Sequence, residues 1–313
     1  MRRLRLGVIG RTEMLLEAAH QAAAAGHEIA LVATCRPSGH ELATEADFEA
    51  LAQASHAPFL RHRELTSTQG LEQVRAARCD LAISMNWLTL IPAALRDLFV
   101  HGVFNAHPGD LPRYKGNACP NWAILNGESS IGLVIHQMED ELDSGAIAAR
   151  RFHALSPDTT IADVYDWLRL CVPEAFGEVI TATARGTLQL SPQSTLAQDS
   201  LRCYPRRPED GRIDWAQPVG AVDRLVRASG APFSGAFTFL NGDRKLTILS
   251  ARPVFSPAPF LAIPGQVAYA RDGDPVIAAN GGYLRLTDVR LDGSPDAATA
   301  KKTVLSSLRN RLT

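Results

Sequence analysis

Between residues 4 and 188, β-like apolar runs alternate with helical stretches, and beyond about residue 205 the chain changes to short alternating runs divided by turn dipeptides. These two observations predict an α/β fold: a Rossmann-like, mainly parallel sheet with helices on both faces, followed by a smaller β-rich domain of OB-like barrel type. The length of 313 residues agrees with two domains, since single cores usually stop growing at roughly 250–300 residues. The predicted division is 1–188 for the α/β domain, 189–204 for a linker and 205–313 for the β-rich domain.

In chain order, Leu4 to Ile9 is an apolar run ending at Gly10, and Met14 to Ala25 is an alanine-rich helix stopped by Gly26. Ile29 to Thr34 reads as a second strand, Glu45 to Ala54 and Leu71 to Ala77 as helices, and Leu81 to Ser84 as a short buried strand. Such sheets bind ligands at the carboxyl ends of their strands. Gly7-Val-Ile-Gly10 lacks the glycine spacing that brings a backbone against a pyrophosphate, which argues against a dinucleotide site. A helical stretch spans Thr160 to Arg185, and the polar, proline-marked segment from Gln189 reads as a linker. Gly235 to Leu240, Lys245 to Leu249, Gly265 to Tyr269 and Tyr283 to Thr287 then read as strands, with Asn241-Gly242, Asp272-Gly273 and Gly281-Gly282 as turns and a short helix at Val219 to Ala228.

Composition excludes several classes. Hydrophobic residues make up 46% and charged residues 21%, so a sizeable core can form and disorder is excluded. The N-terminal apolar run is too short for a signal sequence or a membrane span, which predicts a cytoplasmic protein without a membrane partner. A net charge of -1 argues against a broad nucleic-acid surface, because phosphate binding needs clustered Lys and Arg. The five cysteines are scattered and form no C-x-x-C pair, so they read as reduced thiols, mostly in the core.

Chemistry concentrates after residue 100. Val103, Asn105 and His107 are spaced by two, so on a strand end they share one face while Phe104 and Ala106 take the other, before Pro108-Gly109 breaks the strand. From spacing alone, an active-site pair and the combination of a turn-capping Asn with a core His fit equally. Ile131 to Met138 reads as another strand, followed by the acidic loop Glu139 to Gly145. A carboxylate of that loop within reach of His107 would raise the imidazole pKa and fix its orientation. Asp143 suits this role best because Ser144-Gly145 makes a tight turn beside it. Glu139, Asp140 and Glu141 also read as solvated loop residues.

The run Asn105-Ala-His-Pro-Gly-Asp-Leu-Pro-Arg-Tyr-Lys-Gly116, with Asn121-Trp-Ala-Ile-Leu-Asn-Gly-Glu128, Gly132 to Met138 and Leu142-Asp-Ser-Gly-Ala-Ile147, resembles the formyltransferases that use 10-formyltetrahydrofolate. The resemblance extends into Arg206 to Trp215, Val226 to Ala228 and Gly235 to Phe237, and so covers most of the chain. It implies a formyl donor, 10-formyltetrahydrofolate, and a catalytic trio of Asn105, His107 and Asp143, with no metal required. Asn105 and a charged His107 would donate to the oxyanion formed when an amine attacks the formyl carbon, about 10²–10³ in rate for one donor. Asp143 would keep His107 charged and assist proton transfer, about 10²–10⁴. The resemblance places the folate against the backbone of Gln137, Glu139, Asp140, Glu141 and Leu142 and against the loop containing Met85, Trp87 and Leu88, with Ile91 as further apolar wall. Ordinary core is the competing reading for each of those apolar residues.

Three acceptors fit the resemblance. Methionyl-tRNA as acceptor would need a basic insertion after the second strand, whereas residues 36–49 hold four carboxylates against one arginine. Asn121-Trp122 and Asp214-Trp215 look more like the formyltransferase that modifies UDP-4-amino-4-deoxy-arabinose. A nucleotide-linked amino sugar is therefore the favoured small-molecule partner, with Arg113, Tyr114, Lys115, Gly116 and Trp122 as its binding residues. N-hydroxyornithine is the alternative, and the resemblance leaves room for a homodimer. A formyltetrahydrofolate hydrolase would use the same trio with water, and a non-catalytic binding module would not need the trio at all.

Overall fold

The computed structural model describes residues 2–254 and 260–313. In chain order the elements are β1 (Arg5–Gly10), α1 (Glu13–Ala24), β2 (Glu28–Thr34), α2 (Glu45–Ala54), β3 (Phe59–Arg61), α3 (His62–Leu65), α4 (Thr68–Ala77), β4 (Leu81–Met85), α5 (Ala93–Arg96) and β5 (Val103–His107). There follow β6 (Lys115–Gly116), α6 (Cys119–Leu125), β7 (Ser130–Gln137), β8 (Ile147–Ala154), α7 (Ile161–Arg185), β9 (Arg202–Cys203), α8 (Val219–Ser229), β10 (Ala236–Leu240), β11 (Arg244–Val254), β12 (Val267–Arg271), β13 (Asp274–Ala279), β14 (Gly282–Leu291) and α9 (Ala297–Leu305). The chain forms two compact units, one of residues 1–119, 130–154 and 165–204, the other of residues 120–129, 155–164 and 205–313.

The first unit is built on a seven-stranded sheet in the order β3-β2-β1-β4-β5-β7-β8. From β3 to β5 all neighbours are parallel, and β7 and β8 add antiparallel strands. Strands buried on both faces read as continuous apolar runs, which is why Leu6 to Ile9 and Leu81 to Ser84 were visible without alternation. The chain moves outward from β1 to β3, then returns to β4, so the order reverses between β1 and β4. The carboxyl ends flanking that reversal are where an open parallel sheet offers a crevice. Thr12 caps α1 by accepting from the Leu15 amide at 3.1 Å. A Cβ on Gly10 would come within 2.2 Å of the Met85 carbonyl oxygen, so this glycine serves strand packing.

In the second unit, β10-β11-β14-β13-β12 form an antiparallel sheet. Its two edge strands are joined by the C-terminal residues: Leu240 bridges Leu312, and Gln266 bridges Arg311. Helices α8 and α9 contribute Val222, Val226, Ala300 and Val304 to a core shared with Trp215, Leu246, Ile248 and Leu284. The sequence reading missed β3, α3, α5, β6, α6, β8, β9, β13 and α9. Among the described residues, no helix is long and apolar enough to cross a membrane.

Candidate active site

β5 ends at His107, which is buried, while Asn105 on the same face of the strand is half-buried. The antiparallel pairing of β5 with β7 sets Asn105 opposite His136 and His107 opposite Val134. Asn105 Nδ2 lies 3.3 Å from His136 Nε2, and His136 Nδ1 lies 3.0 Å from the Gln137 carbonyl. The loop after β7 returns Asp143 into this pair. One of its carboxylate oxygens stands 3.5 Å from His107 Nδ1, and the other 3.5 Å from His136 Nε2. The Gly116 amide donates to the same carboxylate at 2.8 Å. Asp143 adopts a left-handed φ of 51°. Two residues later, a Cβ on Gly145 would fall 1.8 Å from the Gln137 carbonyl oxygen, so only glycine lets the loop close this tightly.

Electrostatics separate the members of this cluster. Burial pushes the Asp143 carboxyl up, but the His107 and His136 rings and the Gly116 amide more than offset it, so the group is held below the usual carboxylate range and is ionised. For His107 the balance goes the other way. Burial lowers its pKa, and that effect exceeds the opposing pull of Asp143 and of the Tyr114 carbonyl, which lies 2.6 Å from Nε2. The sequence reading expected Asp143 to raise the His107 pKa. It does pull in that direction, but the ring is 4% exposed and desolvation of the cation outweighs the attraction. The resulting imidazole is neutral near pH 7, with acceptors at both nitrogens to hold a proton once one arrives.

The other predicted residues are distributed more widely. Glu139, Asp140 and Glu141 are exposed and Leu142 and Gln137 half-buried, with Asp140 paired to Arg96 at 2.5 Å. Met85 is buried, its sulfur accepting from the Thr12 hydroxyl at 3.3 Å, and Ile91 is core. Trp87 is half-buried against the His62 ring, and Leu88 is exposed, as is Leu90 two residues on. Tyr114 is buried with φ 57°, Arg113 lies over its ring, and Lys115 and Gly116 form β6. Trp122 belongs to the second unit, where Arg206 lies over its ring.

Three contributors escaped the sequence reading. His136 was visible as the lone ionisable residue closing the apolar run Ile131 to Ile135, but its pairing opposite Asn105 was not. Gln193 lies in the segment read as a linker, yet its side-chain amide donates to the Asp143 and Gly145 carbonyls at 3.0 and 2.7 Å. Cys119 places its sulfur 3.7 Å from His107 Nε2.

With this geometry in view, the comparisons with known proteins decide the family. Residues 5–180 match the formyl transferase family and residues 206–302 its C-terminal domain. The chain belongs to the formyl transferase family. It is 30% identical to methionyl-tRNA formyltransferase of Geobacter metallireducens over 246 residues, covering 78% of this chain and 76% of that one. HypX of Aquifex aeolicus, crystallised with tetrahydrofolic acid, superposes with a TM-score of 0.64 at 20% identity over 94% of this chain, which spans only 45% of HypX. The N-formyltransferase of Helicobacter canadensis, crystallised with folinic acid and dTDP-3-aminofucose, gives 0.63 at 14% identity, covering 90% of this chain and 98% of that one. This formyltransferase therefore shares its fold with enzymes whose crystals hold folates.

Proposed function

We propose that this formyltransferase moves a formyl group from 10-formyltetrahydrofolate to the primary amine of a nucleotide-linked amino sugar. The reaction class follows from the family. The observation that best supports the site is the approach of Asp143 to within 3.5 Å of His107 at the carboxyl end of β5, with His136 standing between Asp143 and Asn105. Asn105, the most open member, donates its amide to the oxyanion that forms as the amine attacks the formyl carbon. His107, neutral before reaction, accepts the proton released by the attacking nitrogen. Ionised Asp143 stabilises the imidazolium so formed, and His107 returns the proton to the departing folate nitrogen as the carbon–nitrogen bond breaks. Trp87 and Leu88 offer the outward apolar surface that a flat pterin needs.

The acceptor is argued from charge. In the segment after β2, Glu41 pairs with Arg11 at 3.0 Å, Glu45 and Glu49 pair with Arg61, and Asp47 accepts from the Thr44 amide. That segment offers Arg36 alone as a cation for a nucleic acid. The likeness in fold to the Helicobacter enzyme supports a sugar nucleotide. The 30% identity to a methionyl-tRNA formyltransferase supports the second reading, methionyl-tRNA. The test is purified protein with 10-formyltetrahydrofolate and a panel of UDP- and dTDP-linked amino sugars, N-hydroxyornithine, methionyl-tRNA and water. Tetrahydrofolate release dependent on an amino sugar is expected, and release dependent only on methionyl-tRNA would overturn the proposed acceptor.

A further inference from the structure

All five cysteines are free and buried, but two of them are neighbours. β6 and β9 pair in parallel with Lys115 beside Arg202 and Gly116 beside Cys203, and the Asn117 amide donates to the Cys203 carbonyl at 3.1 Å. Cys119, two residues beyond Asn117, turns its sulfur back toward the same place, donating to the Tyr114 carbonyl at 2.9 Å. The Cys119 and Cys203 side chains also lie within hydrogen-bonding reach of each other. Cys203, itself buried, lies on a two-residue strand between exposed Arg202 and Tyr204.

We propose that Cys119 and Cys203 are an oxidation site, joined by a reversible disulfide when the protein meets a peroxide. The two sulfurs have unequal parts. The Cys119 hydrogen bond draws the Cys203 thiol toward its thiolate, helped by the Arg202 charge and opposed by burial, while Cys119 itself is held protonated. Cys203 is thus the attacking sulfur and Cys119 the resolving one. The Cys203 thiolate attacks one peroxide oxygen, the O–O bond breaks, and a sulfenic acid and hydroxide form; the hydroxide takes up the proton that Cys203 had lost. The Cys119 sulfur then attacks the Cys203 sulfur, the S–O bond breaks, and the sulfenic oxygen leaves as water with the Cys119 proton. Two thiols and one hydrogen peroxide become one disulfide and two waters, with two electrons passing to the peroxide. Cys35, Cys79 and Cys171 are each raised by burial, Cys35 to about 11 and Cys79 to about 12, and remain unreactive thiols.

The product would tie β9 to the start of α6 and remove the Cys119 proton from the Tyr114 carbonyl, which also meets His107. The test treats reduced, full-length protein with hydrogen peroxide, alkylates the remaining thiols and maps the digest by mass spectrometry. Two of the five thiols should disappear together, and the peptides carrying Cys119 and Cys203 should be recovered as one species that dithiothreitol separates. Cys203→Ser should lose the cross-link and keep its other thiols free. Cys119→Ser should leave a sulfenic acid on Cys203 that dimedone traps. Circular dichroism melting of each variant under reducing conditions verifies folding, and either folded variant alone can decide. Recovery of Cys119 and Cys203 as free thiols, as separately over-oxidised acids, or linked to one of the other three cysteines would overturn the proposal.

Discussion

Replacing Asp143 with Asn keeps the side-chain shape and removes one charge from the centre of the cluster. In the wild-type protein that charge stands 3.5 Å from His107 Nδ1. Two unit charges at that distance interact by about 5 kcal/mol at an effective dielectric near 20, so Asp143 pulls the His107 pKa upward. Burial opposes it with a larger effect, since His107 remains below the ordinary histidine value. Wild-type His107 should therefore titrate below about 6.5, and Asp143→Asn should move it further down, because desolvation persists while the compensating charge is gone. The imidazolium formed in the reaction also loses its stabilisation, so turnover should fall by about 10²–10⁴. The assay is a carbon-13 histidine NMR titration of both proteins beside a pH–rate profile. A wild-type His107 midpoint above the ordinary value would refute the dominance of burial. An unmoved midpoint in Asp143→Asn would refute the coupling.

His136→Phe leaves Asn105 Nδ2 and one Asp143 oxygen without their partner, and should cost about 1–3 kcal/mol in urea unfolding. Turnover should also fall, because Asn105 loses the group that orients it; unchanged turnover would remove His136 from the site. Gly145→Ala drives a Cβ into the Gln137 carbonyl and should destabilise by about 1–3 kcal/mol or more, while displacing Asp143; a melting temperature equal to wild type would contradict the close approach. Stability should fall with acid in two stages. His27 and His107 are lowered by burial, so the unfolded chain binds protons first and stability declines as pH drops below about 6.5. Asp143 is held low in the folded state, so its contribution is present above about pH 4 and is lost as pH falls further. Urea midpoints measured from pH 8 to pH 3 check both stages, and a midpoint flat between pH 8 and pH 5 would exclude the histidine stage.

The legible parts of the fold were those carried by local patterns. Continuous apolar runs marked β1, β2 and β4, and the helix read over Glu45 to Ala54 has those bounds in the structure, where Thr44 and Asp47 form a capping box at its start. β8 was missed because it is an outer strand whose burial alternates weakly, and β13 because the Asp272-Gly273 turn hid a fully buried strand of mixed composition. The proposed trio Asn105, His107 and Asp143 came from strand periodicity and resemblance together, and the structure brings Asp143 to within 3.5 Å of His107. His136 was not, because its neighbour across the sheet lies 31 residues away in the chain. Gln193 and Cys203 were hidden for a related reason: polar, proline-marked composition suggests a free connection, while hydrogen bonds to the Asp143 loop and to β6 hold this segment against the site.

The charge state of His107 is the point at which sequence reasoning named the opposing contributions and misjudged their balance. The sign of each contribution was available from residue type: a carboxylate raises an imidazole pKa and burial lowers it. Their relative size depends on how completely the ring is enclosed, and that enclosure is a property of β5 packed between β4 and β7 with the Tyr114 carbonyl over its end. A ring already charged would have no capacity to take the proton that the attacking amine must lose. A neutral ring beside an ionised carboxylate has that capacity, and in the proposed mechanism the attraction of Asp143 acts on the cation that forms during the reaction. The burial that defeats the first expectation thus supports a proton-accepting role for His107 in formyl transfer.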